Sequence, residues 1–379
     1  MKVSVHSLGC KVNSYECDAI KSLILDYKYS SNTNYIEVFI INTCSVTATA
    51  DQKSRQHIRK FRKLYPQAIL VAMGCYVQGN AEFVKDIEAD IVIGTSFRNK
   101  IPELIDKYIK YEELGITSSF ENVRAYLKIQ DGCDNFCSYC LIPYRRGKSR
   151  SRELSNIINE ANSIVNKGYP EIVLTGIHVG GYGRDLDNVS FSSLVESLLN
   201  IENLKSLRIS SIEATEIDDH LISLLKTKDN FAKHLHIPLQ SGSGTVLKRM
   251  NRKYDKEGFL NKLNKIRESC PDVCITTDVI VGFPGETDEE FNETYKFIEE
   301  CNFSMLHVFP FSSREGTAAS KMPQQINPQI KKERTKKLIA LSNELWDKYT
   351  DKFINKEVDV LIEEFDEETG LGNGQTSNY

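Results

Sequence analysis

Gly132-Cys133-Asp134-Asn135-Phe136-Cys137-Ser138-Tyr139-Cys140 decides how the rest of the chain is read. It holds three thiols in a C-x-x-x-C-x-x-C spacing, directly after a strand predicted over Arg124 to Ile129. Structural zinc takes four protein ligands and a closed shell, whereas three cysteines on a four-iron cluster leave one iron open. Such an iron can bind the amino and carboxylate groups of S-adenosylmethionine, so that an electron breaks the sulfonium bond and releases a carbon radical. The other readings are a zinc site and buried thiols.

Downstream, strands and helices alternate. Strands are predicted at Glu171 to Thr175, Leu204 to Ile209, His234 to Ile237, Cys274 to Val281 and Ser304 to Phe309. Helices are expected at Arg152 to Asn166, Ser190 to Leu199, Ala214 to Leu225 and Gly244 to Arg267. Another opens at the capping box Thr287-Asp288-Glu289-Glu290, and a long one runs from Pro328 to Phe353. With the strand before Cys133 this makes six strands, a partial (β/α)6 barrel spanning residues 119–353. Its chemistry belongs in the loops leaving the C-terminal strand ends. Candidate contacts for an adenosyl group there are Tyr139, Gly176, Ser210, Ser211, Gln240 and Gly282. His236 ends a strand and reads equally as a site residue or a satisfied core histidine.

Upstream, residues 1–118 also alternate, which predicts an open parallel α/β domain. Its strands are expected at Val3 to Val5, Ile36 to Ile41, Ala68 to Ala72 and Ile91 to Ile93. Helices fall at Asn13 to Tyr27, Asp51 to Tyr65, Asn80 to Ile87 and Asn99 to Tyr111, and Tyr111 to Asn122 reads as a linker. Cys10, Cys44 and Cys75 each lie just past a strand. Parallel strands share one C-terminal edge, so the three thiols are expected together there, as a second three-cysteine cluster site or as core. Cys17, Cys270, Cys274 and Cys301 join neither set and read as buried.

The chain has 379 residues, 40% of them hydrophobic and 26% charged, with a formal net charge of -4. That balance is of a globular protein and excludes disorder and collagen-like repeats. No apolar run reaches the roughly 18 residues of a membrane span, and no secretory signal is evident, so the expected location is cytoplasmic. Local basic patterning stands out between Arg124 and Arg152 and over Lys331 to Lys337. Each reads as a solvated face or an anion contact.

Together, Gly9 to Glu16 (GCKVNSYE), Ile41 to Thr47 (INTCSVT), Met73 to Gln78 (MGCYVQ), Ile129 to Arg152, Glu171 to Gly183, His236 to Tyr254, Asp278 to Thr287 and His307 to Thr317 strongly resemble the radical S-adenosylmethionine methylthiotransferases. The match covers nearly the whole chain. Gly9 to Asn13 and Arg145 to Arg150 are most similar to the bacterial branch acting on tRNA N6-threonylcarbamoyladenosine beside the anticodon. Relatives acting on N6-isopentenyladenosine, or on an aspartate of a ribosomal protein, carry other residues after the first cysteine. A rival of another class is a zinc-stabilised RNA-binding protein.

The resemblance implies two [4Fe-4S] clusters and S-adenosyl-L-methionine. Cys133, Cys137 and Cys140 would hold the radical-generating cluster, and Cys10, Cys44 and Cys75 an auxiliary cluster carrying the sulfur to be transferred. One S-adenosylmethionine would methylate that sulfur, and a second would yield the radical that takes hydrogen from adenine C2. The implied partners are the tRNA anticodon stem-loop, an electron donor such as flavodoxin or ferredoxin, and a sulfur donor. Arg145, Arg146, Lys148, Arg150 and Arg314 become candidate RNA-phosphate contacts. The family usually ends in a small RNA-binding β-barrel called TRAM, and residues 354–379 resemble only its beginning.

Overall fold

A computed structural model describes residues 3–23, 38–66, 68–79, 89–95, 123–367 and 369–379. The helices expected at Asn80 to Ile87 and Asn99 to Tyr111, and the linker, lie outside these residues.

Near the N-terminus, β1 (Val3–Ser7), β2 (Val38–Thr43), β3 (Ile69–Gly74) and β4 (Ile91–Ile93) form a parallel sheet in the order β1-β2-β3-β4. The run Val38 to Ile41 is apolar throughout because both faces are covered. Val38 and Ile40 pack with Cys17 and Ile20 of α1 (Lys11–Leu23), while Phe39 and Ile41 pack with Ile58 of α2 (Ala48–Leu64). Thr47 caps α2 by accepting from Ala50 N at 3.1 Å. A third, short helix, α3 (Cys75–Gly79), leaves β3 without an intervening loop.

The second unit has six parallel strands in two halves. β5 (Arg124–Lys128), β6 (Glu171–Thr175) and β7 (Ser206–Ile209) form one, and β8 (His234–His236), β9 (Cys274–Val281) and β10 (Met305–Pro310) the other. Backbone bonds from Ala232 N to Leu207 O (3.0 Å) and Ile212 N to His236 O (3.0 Å) join them. Along the strands, Ala125, Leu127, Ile172, Leu174, Leu207, Ile209, Leu235 and Ile237 enter the large apolar core shared with the helices. Their alternates Arg124, Tyr126, Glu171, Arg208, His234 and His236 fall on the opposite, inner face. The inner face of this partial barrel is therefore polar.

Two expectations change. The helix expected from Gly244 to Arg267 is broken into Gly244–Arg249 and Lys256–Ser269, because Asn251 takes a left-handed conformation (φ 59°) and turns the chain out between them. The helix expected from Ala214 begins with a 3-10 turn, and its α segment starts at Asp219, capped by Asp218. By contrast, Thr287 and Glu290 make both capping-box bonds ahead of Asp288–Cys301. At the C-terminus, Val360–Asp366 pairs antiparallel with Leu371–Thr376. Gln375 to Tyr379 lie beneath the N-terminal strand ends, where Arg124 donates to Gln375 Oε1 (2.7 Å) and Arg208 to Thr376 O (2.9 Å).

Candidate functional site

The loop after β5 is held from several sides. Gly132 has φ +74°, and a Cβ there would stand 2.0 Å from Lys148 O, so only glycine fits. Buried Gln130 donates to Gly132 O and Ser149 Oγ, both at 2.8 Å, and accepts from His178 N. Across the loop, Ser138 bonds through its N–H to Met250 O (3.0 Å) and through its hydroxyl to Arg249 O (2.8 Å). Asn251 donates to Phe136 O at 2.9 Å. The break between the two helices at Met250 to Asp255 is thus the brace for the cysteine loop.

Hydrogen-bond donors point at the sulfurs. Asn135 N lies 3.5 Å from Cys133 Sγ, Ile142 N 3.4 Å from Cys140 Sγ, and Arg252 Nη1 3.4 Å from Cys137 Sγ. Burial pushes the Cys140 thiol up to about 12. Arg252 also pairs with Glu213 and is held more strongly protonated than usual: burial opposes this, but Tyr254, Tyr139 and Glu213 outweigh it. His178 behaves alike, burial being outweighed by hydrogen bonds to Cys133 and Glu216 that raise it to about 9. Cys137, Glu213, Glu216, Arg252 and Tyr254 line a cleft of about 160 Å³. Sequence reasoning missed Glu213, Glu216, His178 and Arg252, although all but Glu213 and Glu216 lie inside the quoted motifs.

The expected adenosyl contacts divide. Tyr139 packs edge-on against Phe283 (6.4 Å between centroids) beside the loop, Gln240 sits at φ 62°, Ser210 is half-buried and Ser211 exposed. Gly282 does not offer an open backbone: Lys331 covers its Cα, and its N–H donates to Glu286 Oε1 at 2.9 Å. Gly176 is closed in by Gln130 and Val179.

The second trio gathers at the C-terminal edge of the first sheet. A Cβ on Gly9 (φ +110°) would meet Cys44 Sγ at 2.6 Å, so the Leu8–Cys10 turn rides directly on Cys44. Ser54 brackets Cys44, accepting from its N–H (3.2 Å) and donating to its carbonyl (2.9 Å). Burial raises the Cys44 thiol, and raises Cys75 to about 11, with Cys10 adding to both. The remaining cysteines Cys17, Cys274 and Cys301 are buried in packing, and Cys270 is half-buried.

Among the described residues, no three His, Cys, Asp or Glu side chains close on one metal ion. Two three-thiol sets with N–H groups aimed at sulfur fit ligation of iron–sulfur clusters, in which each thiolate holds a different iron.

Three cations expected at RNA are engaged inside the protein instead. Arg146 is 3% exposed and donates to Glu16 Oε1 (2.8 Å), Asp131 Oδ1 (3.2 Å) and Asn13 Oδ1 (3.2 Å). Lys128 completes this cluster through Glu16 (3.2 Å) and Asp131 (2.9 Å). Arg314 is 7% exposed, bonded to Ser45 and to Asp51 at 2.8 Å. Arg145 lays its guanidinium over Gly79. Carboxylate partners hold Arg146 and Arg314 inside in place of exposure, and all three side chains lie between the first sheet and the barrel. Lys148 and Arg150 remain on the surface.

Comparison with known proteins agrees with this layout. Residues 127–298 match the radical SAM superfamily, and residues 2–94 match the uncharacterized protein family UPF0004. The chain is 46% identical over 400 residues to the threonylcarbamoyladenosine tRNA methylthiotransferase MtaB of Bacillus subtilis, covering 100% of this chain and 89% of that one. It is 36% identical to the MtaB of Aquifex aeolicus (96% and 93% covered). It is also 36% identical to the tRNA-2-methylthio-N(6)-dimethylallyladenosine synthase of Clostridium tetani (95% and 84%). Among solved structures, the radical S-adenosylmethionine methyltransferase TsrM of Kitasatospora setae, with cobalamin and a [4Fe-4S] cluster, superposes with a TM-score of 0.62 at 12% identity, over 84% of this chain and 74% of that one. That likeness shows a shared fold. Full-length identity to curated methylthiotransferases, together with both matched families, makes the chain a member of the radical SAM methylthiotransferase family, whose enzymes use S-adenosylmethionine and [4Fe-4S] clusters.

Proposed function

We propose that this protein methylthiolates C2 of N6-threonylcarbamoyladenosine next to the tRNA anticodon. The observation that carries the reading is the pair of three-thiol sites at C-terminal strand ends, joined across the domain boundary by Glu16 and Arg146. The 46% identity to the Bacillus subtilis enzyme, against 36% to the Clostridium tetani one, supports the choice of substrate.

In this reading Cys133, Cys137 and Cys140 hold one [4Fe-4S] cluster, and Cys10, Cys44 and Cys75 the other. When bound, the pair supplies an electron that opens the S-adenosylmethionine sulfonium and a sulfur site from which the methylthio group leaves. The protein's own part is position and charge. Arg252 fixes Cys137 while pairing with Glu213 at the cleft, which suits a zwitterionic amino acid moiety. Tyr139 backs the loop by packing edge-on against Phe283. Arg146 and Glu16 set the spacing between the two thiol groups. Lys148 is exposed and can meet phosphate, as can the exposed part of Arg150, whose guanidinium also pairs with Asp131 at 3.0 Å. An anticodon-loop base is already partly unstacked, which lowers the cost of bringing it in.

An electron donor such as flavodoxin or ferredoxin, a sulfur donor and a cytoplasmic location complete the proposal. No described helix is long and apolar enough to cross a membrane. Residues 1–118, 119–353 and 354–379 are the working units, the last being the RNA-facing β segment.

The test is mass spectrometry of tRNA from a deletion strain, together with anaerobically reconstituted variants. Loss of the methylthio form of threonylcarbamoyladenosine is expected, and an unchanged level refutes the assignment. Cys137→Ala should abolish deoxyadenosine formation, whereas Cys44→Ala should retain cleavage without methylthiolation. Identical behaviour of the two argues against separate roles.

A further inference from the structure

The most basic of the described helices has no part in the assignments above. Along the 17 residues of α2, Lys53, Arg55, Arg59, Lys60, Arg62 and Lys63 stand against a single acid, Asp51, in a chain whose formal net charge is -4. Asp51 is taken by Arg314 of the barrel, and Arg62 by Asp90. Among the described residues the other five cations form no ion pair, and all five are exposed. Buried Ser54 and Ile58 turn the opposite face to the sheet. Arg55, Arg59 and Lys63 recur at four-residue intervals and so form one outward stripe, with Lys53 and Lys60 beside it. Like charges at that spacing oppose helix formation. The helix dipole favours cations only in the last turn, which accounts for Arg62 and Lys63 and leaves the others unexplained.

The stripe starts at the second trio of thiols. β2 ends at Thr43, Cys44 follows it, and α2 opens at Ala48. Ser54 makes both of its bonds to Cys44, at 3.2 and 2.9 Å. The Arg55 guanidinium stands 5.9 Å from the ring centre of Tyr76, the residue after Cys75. Through Asp51 and Arg314 the opening of α2 also touches the barrel. From Lys53 to Lys63 the cations then lead away from this junction for about 15 Å.

We infer that the outer face of α2 binds the phosphates of the tRNA anticodon stem, laying the stem along the helix with its loop at the junction of sheet and barrel. The inference rests on the proposed function for its RNA and adds the surface that docks it. The chemistry of the face selects the partner. The exposed residues among the cations, Gln52 and Gln56, are polar, whereas protein interfaces are built around apolar and aromatic anchors with few charges. A membrane-binding helix needs a free apolar face, and that of α2 is covered by the sheet. Unpaired cations at regular spacing suit a phosphate backbone, whose contacts position an RNA without reading its sequence.

The test measures, by fluorescence anisotropy across a salt series, binding of cluster-loaded full-length protein to an anticodon stem-loop carrying threonylcarbamoyladenosine or plain adenosine. Arg59→Gln, Lys60→Gln and Lys63→Gln together should weaken binding about 10- to 100-fold and shrink the slope of log affinity against log salt by about 2 to 3. Both stem-loops should lose equally, with iron and sulfide content unchanged. The charge-keeping set Arg59→Lys, Lys60→Arg and Lys63→Arg should bind as the wild type does. Lys167, Lys205 and Lys226 are exposed lysines on the side of the barrel where its strands begin. Changing these three to Gln removes the same charge there and should leave the slope nearly unaltered. An unaltered slope in the α2 variant overturns the inference. So does an equal loss in the barrel variant, which traces the effect to net charge. Retained RNA binding with lost reduction by flavodoxin overturns it too, since the stripe is then a protein-docking face. If the wild type binds through α2 yet forms no methylthio product on the threonylcarbamoyl stem-loop, the proposed function fails while the docking surface stands.

Discussion

Gly132 shows how little freedom the cysteine loop has. Gly132→Ala would force a left-handed backbone on alanine and drive its Cβ against Lys148 O, 2.0 Å away. A loss of about 1–3 kcal/mol is expected, with reduced iron incorporation, read by thermal unfolding and iron analysis. The thiols themselves give a pH prediction for the metal-free protein. Burial raises Cys75 to about 11, and Cys17, Cys140 and Cys301 to about 12, from an ordinary 9.0. The unfolded chain therefore sheds these protons first, so stability is intact below pH 9 and falls from there to about pH 12. Denaturant midpoints at pH 8, 9 and 10 check this. Cluster loading has the opposite sense, since each thiolate ligand releases a proton and higher pH favours it.

At the level of elements, the local code was readable. Runs such as Val38 to Ile41 and Cys274 to Val281 announced strands because β-branched residues fill a doubly covered sheet. Thr287→Ala should cost about 1 kcal/mol by removing the bond to Glu290 N, lowering the melting temperature slightly without changing iron content. The break at Asn251 is not legible in the sequence, since an asparagine within an amphipathic run looks helical, whereas in the fold Asn251 takes φ 59° and bonds Phe136 O while Ser138 bonds the carbonyls of Arg249 and Met250. The six candidate ligands were legible from spacing and strand position. Arg146 and Arg314 were not, because a cation bound for solvent and one bound for a distant carboxylate look alike in sequence. Glu16, the partner of Arg146, lies 130 positions away. The lumen-facing Arg124, Glu171 and Arg208 were hidden likewise: only strand pairing brings them to one level.

For the whole molecule, the decisive contact is the buried group Glu16, Lys128, Asp131 and Arg146 between sheet and barrel. Arg146→Met leaves the Glu16 and Asp131 carboxylates short of a buried partner, and a loss of about 3–5 kcal/mol is expected by chemical denaturation. Deoxyadenosine formation should survive better than methylthiolation, because the two thiol sites would lose their fixed spacing. Arg146→Lys, with a point charge and no planar fork, should recover stability only in part.

The same contact dictates an order of events during synthesis. A ribosome delivers Glu16 and the first three-thiol edge long before Arg146 exists, and N-terminal units fold as they emerge. Until the barrel's opening strand and cysteine loop leave the exit tunnel, that edge has no lid on its barrel side. Iron delivered in that interval meets thiols that are only half enclosed, so maturation factors have reason to act after translation has passed the loop, not before.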